Sequence, residues 1–306
     1  MLSEAVRAEL ARIAPRRRCD RLAELSGLFH SAGALHIRGH GEVSLHLDLV
    51  SSAVARRAFE LLRGLDFASE IRTYRRRSFG RETRYQLHVE GTIQSIATLR
   101  EAGVLSSARA PLARPPHQVI GRRCCRAAYL RGALLGAGTV SGPRAPHLEV
   151  RCATREGAEF LRWSAGLEGV TLQMRERERF AIAYAKGAER IADALALAGA
   201  VDAALVIEEH AVLGAARAQA NRVANADHAN LVRVSRAAHE QMRAIKALEG
   251  RGRLERLPEP LREIAELRLR HPYLSLTELA RKCSPPASKA AAHRRLRQIA
   301  RLAEAS

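Results

Sequence analysis

Helical and alternating patterns of apolar residues follow one another in the same order twice along the first two thirds of the chain. In the first half, a glycine-containing helical pattern precedes the alternating stretch EVSLHLDLV (42–50), and a second alternation runs through Tyr85, Leu87 and Val89. Apolar residues at every second position are typical of half-buried strands. Each half therefore predicts the order helix, strand, strand, helix, strand, strand, helix.

The two glycine-containing helices are similar to each other in sequence. Residues 23–35 read AELSGLFHSAGAL and residues 128–140 read AYLRGALLGAGTV. At an offset of 105 residues the matching pairs are Leu25 with Leu130, Gly27 with Gly132, and Gly33 with Gly138. The repeat predicts a pseudo-twofold α+β body in which small residues let the two helices pack closely. Chance similarity between two helices rich in Ala and Gly is the alternative.

The remaining segments predict a connection and a helical C-terminal region. Three prolines mark residues 106–121 as a connection, and 211–250 contain no proline and predict one or two long helices. We expect some of Asn221, Asn225 and Asn230 to cap or bend a helix junction, because Asn favours caps over helix interiors. The predicted domains are a first α+β half (1–105), a connection (106–121), a second α+β half (122–210), a helical linker (211–256) and a compact helical domain (257–306).

Charge points to a polyanionic partner. The 306 residues contain 51 Lys and Arg against 32 Asp and Glu, a formal net charge of +19. DNA or RNA fits this excess better than an anionic membrane surface, because no strongly amphipathic membrane helix stands out. Apolar residues make up 47% of the chain, but no apolar run approaches the ~18 residues of a membrane span. With no basic and apolar leader at the start, we expect a cytoplasmic, nucleoid-associated protein without a membrane partner.

The last fifty residues have the pattern of a helix-turn-helix. Ser275 is a candidate N-cap for LTELARK, and after the CSPPA turn Ser288 caps KAAAHRRLRQIARLAE, which carries no acid before Glu304. Small residues near the start of that helix permit close approach to a groove, and its basic side chains reach bases or phosphates. The candidate DNA-binding residues are Ser275, Thr277, Ser288, Lys289, His293, Arg294, Arg295, Arg297 and Arg301. A solvated basic face on an ordinary helical hairpin is the alternative.

Cysteine and histidine positions predict no cofactor and no metal site. Cys19, Cys124, Cys125, Cys152 and Cys283 form no CxxC motif and no zinc spacing, which favours reduced, buried thiols. A redox pair at the adjacent Cys124 and Cys125 is the weaker reading, because its disulfide ring would be strained. The candidate ligands His36, His40 and His46 fall on a predicted strand and turn and are too dispersed for a metal site.

LSGLFHSAG (25–33) and LRGALLGAG (130–138) resemble the paired helices of LAGLIDADG homing endonucleases. The resemblance places the metal-binding carboxylate of that family at Ala32 and Ala137, which offer no oxygen ligand. The implied body keeps the fold and lacks the nuclease, so no catalytic residue is predicted. An active endonuclease that uses other carboxylates, with Asp48 and Glu149 on the following strands, remains an alternative.

A DNA-binding sheet, which the resemblance also implies, gives a second candidate surface. Tyr74, Arg75, Arg76 and Arg77, with Arg81 and Arg84, fall on the predicted third and fourth strands of the first half. They are either a residual DNA surface or a solvated edge strand.

The chain as a whole resembles the WhiA family of bacterial regulators. The segments that carry the resemblance are SEAVRAEL (3–10), RRRCDRLAELSGL (16–28), CCRAAYLRGALLGAGTVSGPRAPHLEV (124–150), NRVANADHANL (221–231) and LPEPLREIAELRLRHPYLSLTELA (257–280). The family usually has SKSGVNHRL where this chain has SKAAAHRRL (288–296), so His293 stands at the Asn position and Arg294 at the His position. The DNA sequence that is read therefore differs.

The resemblance implies a non-catalytic transcription regulator involved in cell division, chromosome segregation or sporulation. Its partners would be double-stranded DNA and, as a protein partner, another transcription factor or a sigma factor. An RNA-binding or scaffold protein is the alternative from outside the enzyme class. The sequence does not fix the oligomeric state.

Overall fold

A computed structural model describes residues 2–37, 43–75, 83–142 and 145–305. The chain divides into two compact units, residues 1–215 (unit 1) and 216–306 (unit 2). Unit 1 contains the two α+β halves, and unit 2 is helical.

The first half of unit 1 follows the predicted order of elements. It consists of α1 (Leu2–Ala11), α2 (Arg18–Ala32), β1 (Gly33–Ile37), β2 (Val43–Leu49), α3 (Ser52–Arg63), β3 (Ser69–Arg75), β4 (Thr83–Glu90) and α4 (Ile93–Glu101). Along β2, Val43, Leu45, Leu47 and Leu49 are buried. The period-two pattern thus identified the buried face of this strand correctly.

The second half repeats this order. It consists of α5 (Arg123–Ala137), β5 (Gly138–Val140), β6 (His147–Cys152), α6 (Arg155–Gly166), β7 (Gln173–Arg177), β8 (Phe180–Lys186) and α7 (Ala188–Ala198). Its antiparallel sheet has the order β5-β6-β8-β7, and the sheet of the first half has the equivalent order β1-β2-β4-β3. The same topology in both halves confirms the predicted repeat and the pseudo-twofold α+β class.

The glycine helices α2 and α5 pack directly against each other. A Cβ atom added at Gly27 would overlap the carbonyl oxygen of Tyr129, and one added at Gly132 would overlap the carbonyl oxygen of Glu24. Only glycine permits this backbone approach. The close packing predicted for this pair is therefore confirmed.

The second pair of matched glycines has a different role. A Cβ atom at Gly33 would strike the carbonyl oxygen of Phe29 on its own helix, and one at Gly138 would strike that of Leu134. These glycines allow each helix to pass directly into the following strand, so the prediction that they also serve the helix contact is wrong.

A buried ion cluster lies beside this helix pair. The carboxylate of Glu24, on α2, is fully buried and accepts from Arg57 Nε on α3 at 3.0 Å and from Arg131 Nε on α5 at 2.8 Å. Arg131 also donates to the carbonyl oxygen of Ala198 at 3.2 Å. The cluster joins both halves of unit 1 through one carboxylate.

The long C-terminal helical segment forms a single helix, α8 (Val201–Gly250). Asn221, Asn225 and Asn230 are exposed within it, so the prediction that they cap or bend a junction is wrong. An asparagine costs at most about 0.7 kcal/mol in a helix interior, and the surrounding Ala-rich sequence outweighs that cost. The helices that follow are α9 (Glu259–Arg270), α10 (Leu276–Lys282) and α11 (Lys289–Glu304).

A search of the described residues found no helix with the length and apolar character needed to cross a membrane.

Candidate nucleic-acid interface

Unit 2 is built around one small apolar core. Ile264 and Ala265 of α9, Ala280 of α10 and Leu296 of α11 are buried in it. Further core residues are Ile245 and Leu248 of α8, Leu261 of α9, Cys283, and Ala292 and Ile299 of α11. Leu302 of α11 is half-buried and packs against this core. The core fixes which side of α11 remains outside.

Local hydrogen bonds set where α10 and α11 begin. The Ser275 hydroxyl accepts from the backbone N–H of Glu278 at 3.3 Å, and the Glu278 carboxylate accepts from the backbone N–H of Ser275 at 2.8 Å. This capping box satisfies two amide groups that the first turn leaves unpaired. Ser288 caps α11 in the same way, accepting from the backbone N–H of Ala291 at 3.1 Å. Both predicted N-caps are confirmed.

Buried Arg268 holds the turn between α9 and α10. Its guanidinium donates to the carbonyl oxygen of Leu274 at 2.7 Å and to that of Pro272 at 3.4 Å. Burial lowers the pKa of Arg268, which nevertheless stays protonated at neutral pH. Arg268 was not predicted from the sequence, because nothing in a basic segment distinguishes a buried arginine from an exposed one.

The exposed side of α11 carries a row of arginines. Arg294, Arg297 and Arg301 are exposed and follow one another at spacings of three and four, which places them on one face of the helix. Buried Ala292, Leu296 and Ile299 define the core-facing side. We call the three arginines the arginine face.

The other predicted contact residues are distributed around this face. Lys289 and His293 are exposed in the N-terminal half of α11, and Thr277 is exposed on α10. Arg295 is half-buried and lies near the Cys283 thiol, whose pKa is raised mainly by burial and is lowered in part by this guanidinium. The structure therefore separates Arg295 from the residues that α11 presents to solvent.

A cleft in unit 1 contains Ala32 and Ala137, the two positions at which the resemblance to homing endonucleases places a metal-binding carboxylate. It has a volume of about 590 Å³, and Ala32 and Ala137, the last residues of α2 and α5, line it together with Asp48 and Glu149. The Asp48 carboxylate accepts from the Tyr74 hydroxyl at 2.9 Å, and the Glu149 carboxylate accepts from His147 Nε2 at 2.7 Å. Methyl groups thus stand where metal-binding oxygens would be required.

Only part of the predicted arginine strip can be described. Arg76, Arg77 and Arg81 lie outside the described residues. Tyr74 and Arg75 are on β3, an edge strand of the first sheet, and Arg84 on the neighbouring β4 lines the cleft.

Comparison with known proteins places all three parts of the chain in one family. Residues 18–105 match the family model "WhiA N-terminal LAGLIDADG-like domain", residues 126–217 match "WhiA LAGLIDADG-like domain", and residues 220–303 match "WhiA C-terminal HTH domain". The chain belongs to the WhiA family.

Curated relatives of this WhiA-family chain match it over nearly its whole length. "Probable cell division protein WhiA" of Symbiobacterium thermophilum is 38% identical, covering 99% of this chain and 97% of the relative. The protein of the same name from Heliobacterium modesticaldum is 36% identical, covering 99% of this chain and 96% of the relative.

Solved structures support the fold. Full-length DUF199/WhiA from Thermatoga maritima has a TM-score of 0.59 and 23% identity, covering 98% of this chain and 97% of that one. The N-terminal LAGLIDADG domain of DUF199/WhiA has a TM-score of 0.52 and 19% identity, covering 65% of this chain and 90% of that one.

The WhiA fold brings together two of the histidines that were predicted to be dispersed. The ring centroids of His36 and His46 are 4.4 Å apart, and His46 Nε2 lies 2.6 Å from Nδ1 of His88 on β4. His88 was missed because pairing of β2 with β4, rather than sequence spacing, places it opposite His46. His40 lies outside the described residues.

The cysteines of the WhiA fold are also less scattered than predicted. Cys19, at the start of α2, lies beside Cys124 and Cys125 at the start of α5. These three cysteines therefore lie together, although their sequence spacing contains no metal-binding motif. Cys152, on β6, and Cys283 are buried at other places in the chain.

Proposed function

We propose that this WhiA-family chain is a non-catalytic, sequence-specific DNA-binding regulator that acts on transcription in the control of cell division. Chromosome segregation and sporulation are the related processes in which we expect the same activity. The arginine face of α11 is the observation that carries the proposal. The name shared by the two relatives described above, "Probable cell division protein WhiA", supports the assignment to cell division.

The arginine face destabilises α11 through repulsion between like charges, and the core of unit 2 does not need these side chains. Like charges three or four residues apart on a helix destabilise it by about 0.2–0.5 kcal/mol per pair. Arg294, Arg297 and Arg301 form two such pairs and point away from the core. A DNA backbone removes this repulsion and releases its own condensed cations on binding, which gives a favourable free energy.

The geometry of a helix-turn-helix gives each side chain of α11 a separate role. The N-terminal part of a recognition helix enters the major groove, and the helix leaves the groove within about two turns. Lys289, His293 and Arg294 therefore meet bases or flanking phosphates. Arg297 and Arg301 meet the phosphate backbone.

The cleft of unit 1 supports a role without catalysis. Hydrolysis assisted by divalent metals needs oxygen ligands that hold the ions. The positions at which the resemblance to homing endonucleases places those ligands are Ala32 and Ala137, which line the cleft. We expect no nicking of supercoiled plasmid in Mg²⁺ or Mn²⁺. Cleavage by the unmodified full chain that EDTA abolishes would contradict this part of the proposal.

A binding titration with two arginine variants tests the DNA-binding proposal. The cognate duplex comes from mapping chromatin bound by the full chain and by a chain that lacks 257–306. Arg294→Ala and Arg301→Ala are then titrated with cognate and scrambled duplexes at several salt concentrations. Arg270→Ala is the matched control, because it removes the same charge from the same unit but at a guanidinium that pairs with Glu266 at 3.4 Å.

The two variants have different expected results. A base-reading arginine is worth about 1–3 kcal/mol of discrimination, so Arg294→Ala lowers the cognate-to-scrambled affinity ratio by about 5- to 150-fold. Arg301→Ala weakens both duplexes alike and reduces the salt slope by about one. An unchanged ratio in Arg294→Ala contradicts the base-reading role. Unchanged cognate affinity without 257–306 contradicts the whole assignment.

The same titration distinguishes DNA from RNA. Double-stranded RNA has a deep, narrow major groove that a helix cannot enter. At matched salt we expect sequence preference with double-stranded DNA and only phosphate-driven binding with double-stranded RNA. Equal or tighter binding to RNA would favour the RNA-binding alternative.

A further inference from the structure

Four side chains with metal-binding atoms meet where the two glycine helices begin. Cys19 and Asp20 are in the first turn of α2, and Cys124 and Cys125 are in the first turn of α5. The offset of 105 residues that relates the two helices also relates Cys19 to Cys124 and Asp20 to Cys125. Each half of the repeat thus supplies two of the four side chains.

Three of the separations between these atoms are close to those of a tetrahedral site. The Asp20 Oδ1 atom lies 3.5 Å from Cys19 Sγ and 3.5 Å from Cys125 Sγ, and the Sγ atoms of Cys124 and Cys125 are 3.9 Å apart. All four ligand atoms lie within 4.8 Å of one another. A tetrahedral zinc ion with Zn–S bonds of about 2.3 Å and Zn–O bonds of about 2.1 Å requires S···S separations of about 3.8 Å and S···O separations of about 3.6 Å. The three separations given already agree with these values to within about 0.1 Å, and the others have to shorten by at most about 1.2 Å.

The surroundings favour a negatively charged ligand set. Three thiolates and a carboxylate around Zn²⁺ carry a net charge of −2. The positive ends of the α2 and α5 dipoles lie at the four ligands, because all four are in the first turns. Arg17, Arg122 and Arg123 line the adjoining cleft of about 530 Å³, and Cys124 is in its wall. This cleft gives an ion a path to the ligands.

The donor set selects the type of metal. Thiolate sulfur is a soft ligand that binds Zn²⁺ well, whereas Mg²⁺ and Ca²⁺ require oxygen ligands. Four protein ligands leave no open coordination position for water or substrate, which is typical of structural zinc sites.

We propose that Cys19, Asp20, Cys124 and Cys125 form a structural zinc site that joins the N-terminal ends of α2 and α5. The ion cross-links the two halves of unit 1 at the end of the helix pair opposite the cleft that Ala32 and Ala137 line. Binding displaces the three thiol protons into solvent and involves no oxidation. The site stabilises the pseudo-twofold body and does not depend on the proposed DNA-binding role of α11.

Metal content of the full chain is the first test. The protein is purified with a phosphine reductant, incubated with Zn²⁺ and dialysed, and bound zinc is measured by mass spectrometry. We expect one Zn²⁺ per chain and an affinity at least about 100-fold lower in Cys124→Ala. Cys283→Ala is the matched control, because it removes a buried cysteine that lies in unit 2.

Cobalt substitution reports the geometry of the site. Bound Co²⁺ should show thiolate-to-metal charge transfer and the intense visible bands of tetrahedral coordination. Asp20→Asn, which keeps the shape of the side chain, should weaken binding and alter the visible bands while the circular dichroism of the protein is unchanged. This variant keeps the proposal testable if Cys124→Ala does not fold.

Thermal melting links the metal to the fold. Adding Zn²⁺ should raise the Tm of the unmodified chain and of Cys283→Ala, because a ligand that binds only the folded state stabilises it. The Tm of Cys124→Ala should not respond. Four outcomes would overturn the proposal: no stoichiometric zinc, octahedral cobalt spectra, equal zinc affinity in the two cysteine variants, or a disulfide between α2 and α5 that forms in place of metal binding.

Discussion

Two groups of charged side chains, one in each unit, occupy opposite environments. In unit 1, the Glu24 carboxylate is fully buried and held by Arg57 and Arg131. In unit 2, Arg294, Arg297 and Arg301 are exposed on α11. The buried charges are paired with one another within the chain and stabilise the fold. The arginine face adds repulsion to an already folded domain, so its benefit has to come from a partner. Substitution in the two regions should therefore give opposite results in stability and binding.

Breaking the buried cluster is expected to have the largest effect on stability. Glu24→Ala leaves two buried guanidinium groups without their carboxylate, which costs about 3–5 kcal/mol. Denaturant unfolding of the full chain, monitored by circular dichroism, measures the loss. Glu176→Ala is the control, because it removes a carboxylate from an exposed pair with Arg155 at 3.4 Å, worth less than about 1 kcal/mol. Equal losses in the two variants would show that burial does not distinguish these charges.

His30 gives unit 1 a dependence on pH. Its Nδ1 atom donates to the carbonyl oxygen of Ser26 at 2.8 Å, its Nε2 atom is buried, and burial lowers the pKa of His30 to about 4. The unfolded chain takes up this proton near pH 6.5, whereas the folded chain resists it until about pH 4. The contribution of neutral His30 to the free energy of unfolding is fully present above pH 6.5. It falls by up to about 3 kcal/mol as the pH drops from 6.5 to about 4.

The His30 prediction is checked by unfolding at a series of pH values. His30→Gln keeps a side-chain donor but does not titrate, so its stability should fall less between pH 6.5 and pH 4. His228→Gln, at an exposed position on α8, should follow the unmodified chain. Parallel curves for the two variants would contradict the prediction.

The contact between the glycine helices is expected to have an intermediate effect. Gly27→Ala pushes a methyl group into the backbone of α5, and overpacking of this kind costs about 1–3 kcal/mol. Gly214→Ala is the control, since no heavy atom lies within 4 Å of its added Cβ. There the substitution should stabilise α8 by about 0.5–1 kcal/mol. Opposite signs of the two changes in Tm would confirm the close approach of α2 and α5.

The smallest effect on stability is expected on the arginine face. Arg297→Ala removes an exposed charge between two others, so the free energy of unfolding should change by less than about 0.5 kcal/mol, or rise slightly. The same variant should lose affinity for all duplexes. A large drop in Tm would mean that Arg297 serves the fold, and the contrast between the two units would fail.

The sequence predicts the fold more completely than it predicts the residues of these sites. The 105-residue repeat and the period-two strands predict the order of elements, because each depends on local pattern. Glu24, Arg57 and Arg131 were missed because the packing of three helices joins positions 33 and 107 residues apart. Pattern alone gives no sign that a glutamate in an amphipathic helix faces inward.

The cysteine cluster is a different case, because a signal for it was available. Cys19 and Cys124 obey the same offset of 105 as the glycines, so applying the repeat to every residue type would have placed them together. The prediction for the asparagines of α8 was wrong for the opposite reason. Their local preference for caps is weak, and the surrounding sequence of good helix formers overrides it.

The position of β3 has a consequence for self-association. As an edge strand it presents a row of peptide groups that face no neighbouring strand among the described residues, and such a row is a template for pairing with another chain. Glu70 and Arg72, which form an ion pair at 2.9 Å, and Arg75 place charge along this edge. Charge of this kind discourages a second copy from adding its own strand. Removing these arginines to look for a DNA contact would therefore also remove a barrier to aggregation, and sedimentation of each variant has to accompany its binding curve.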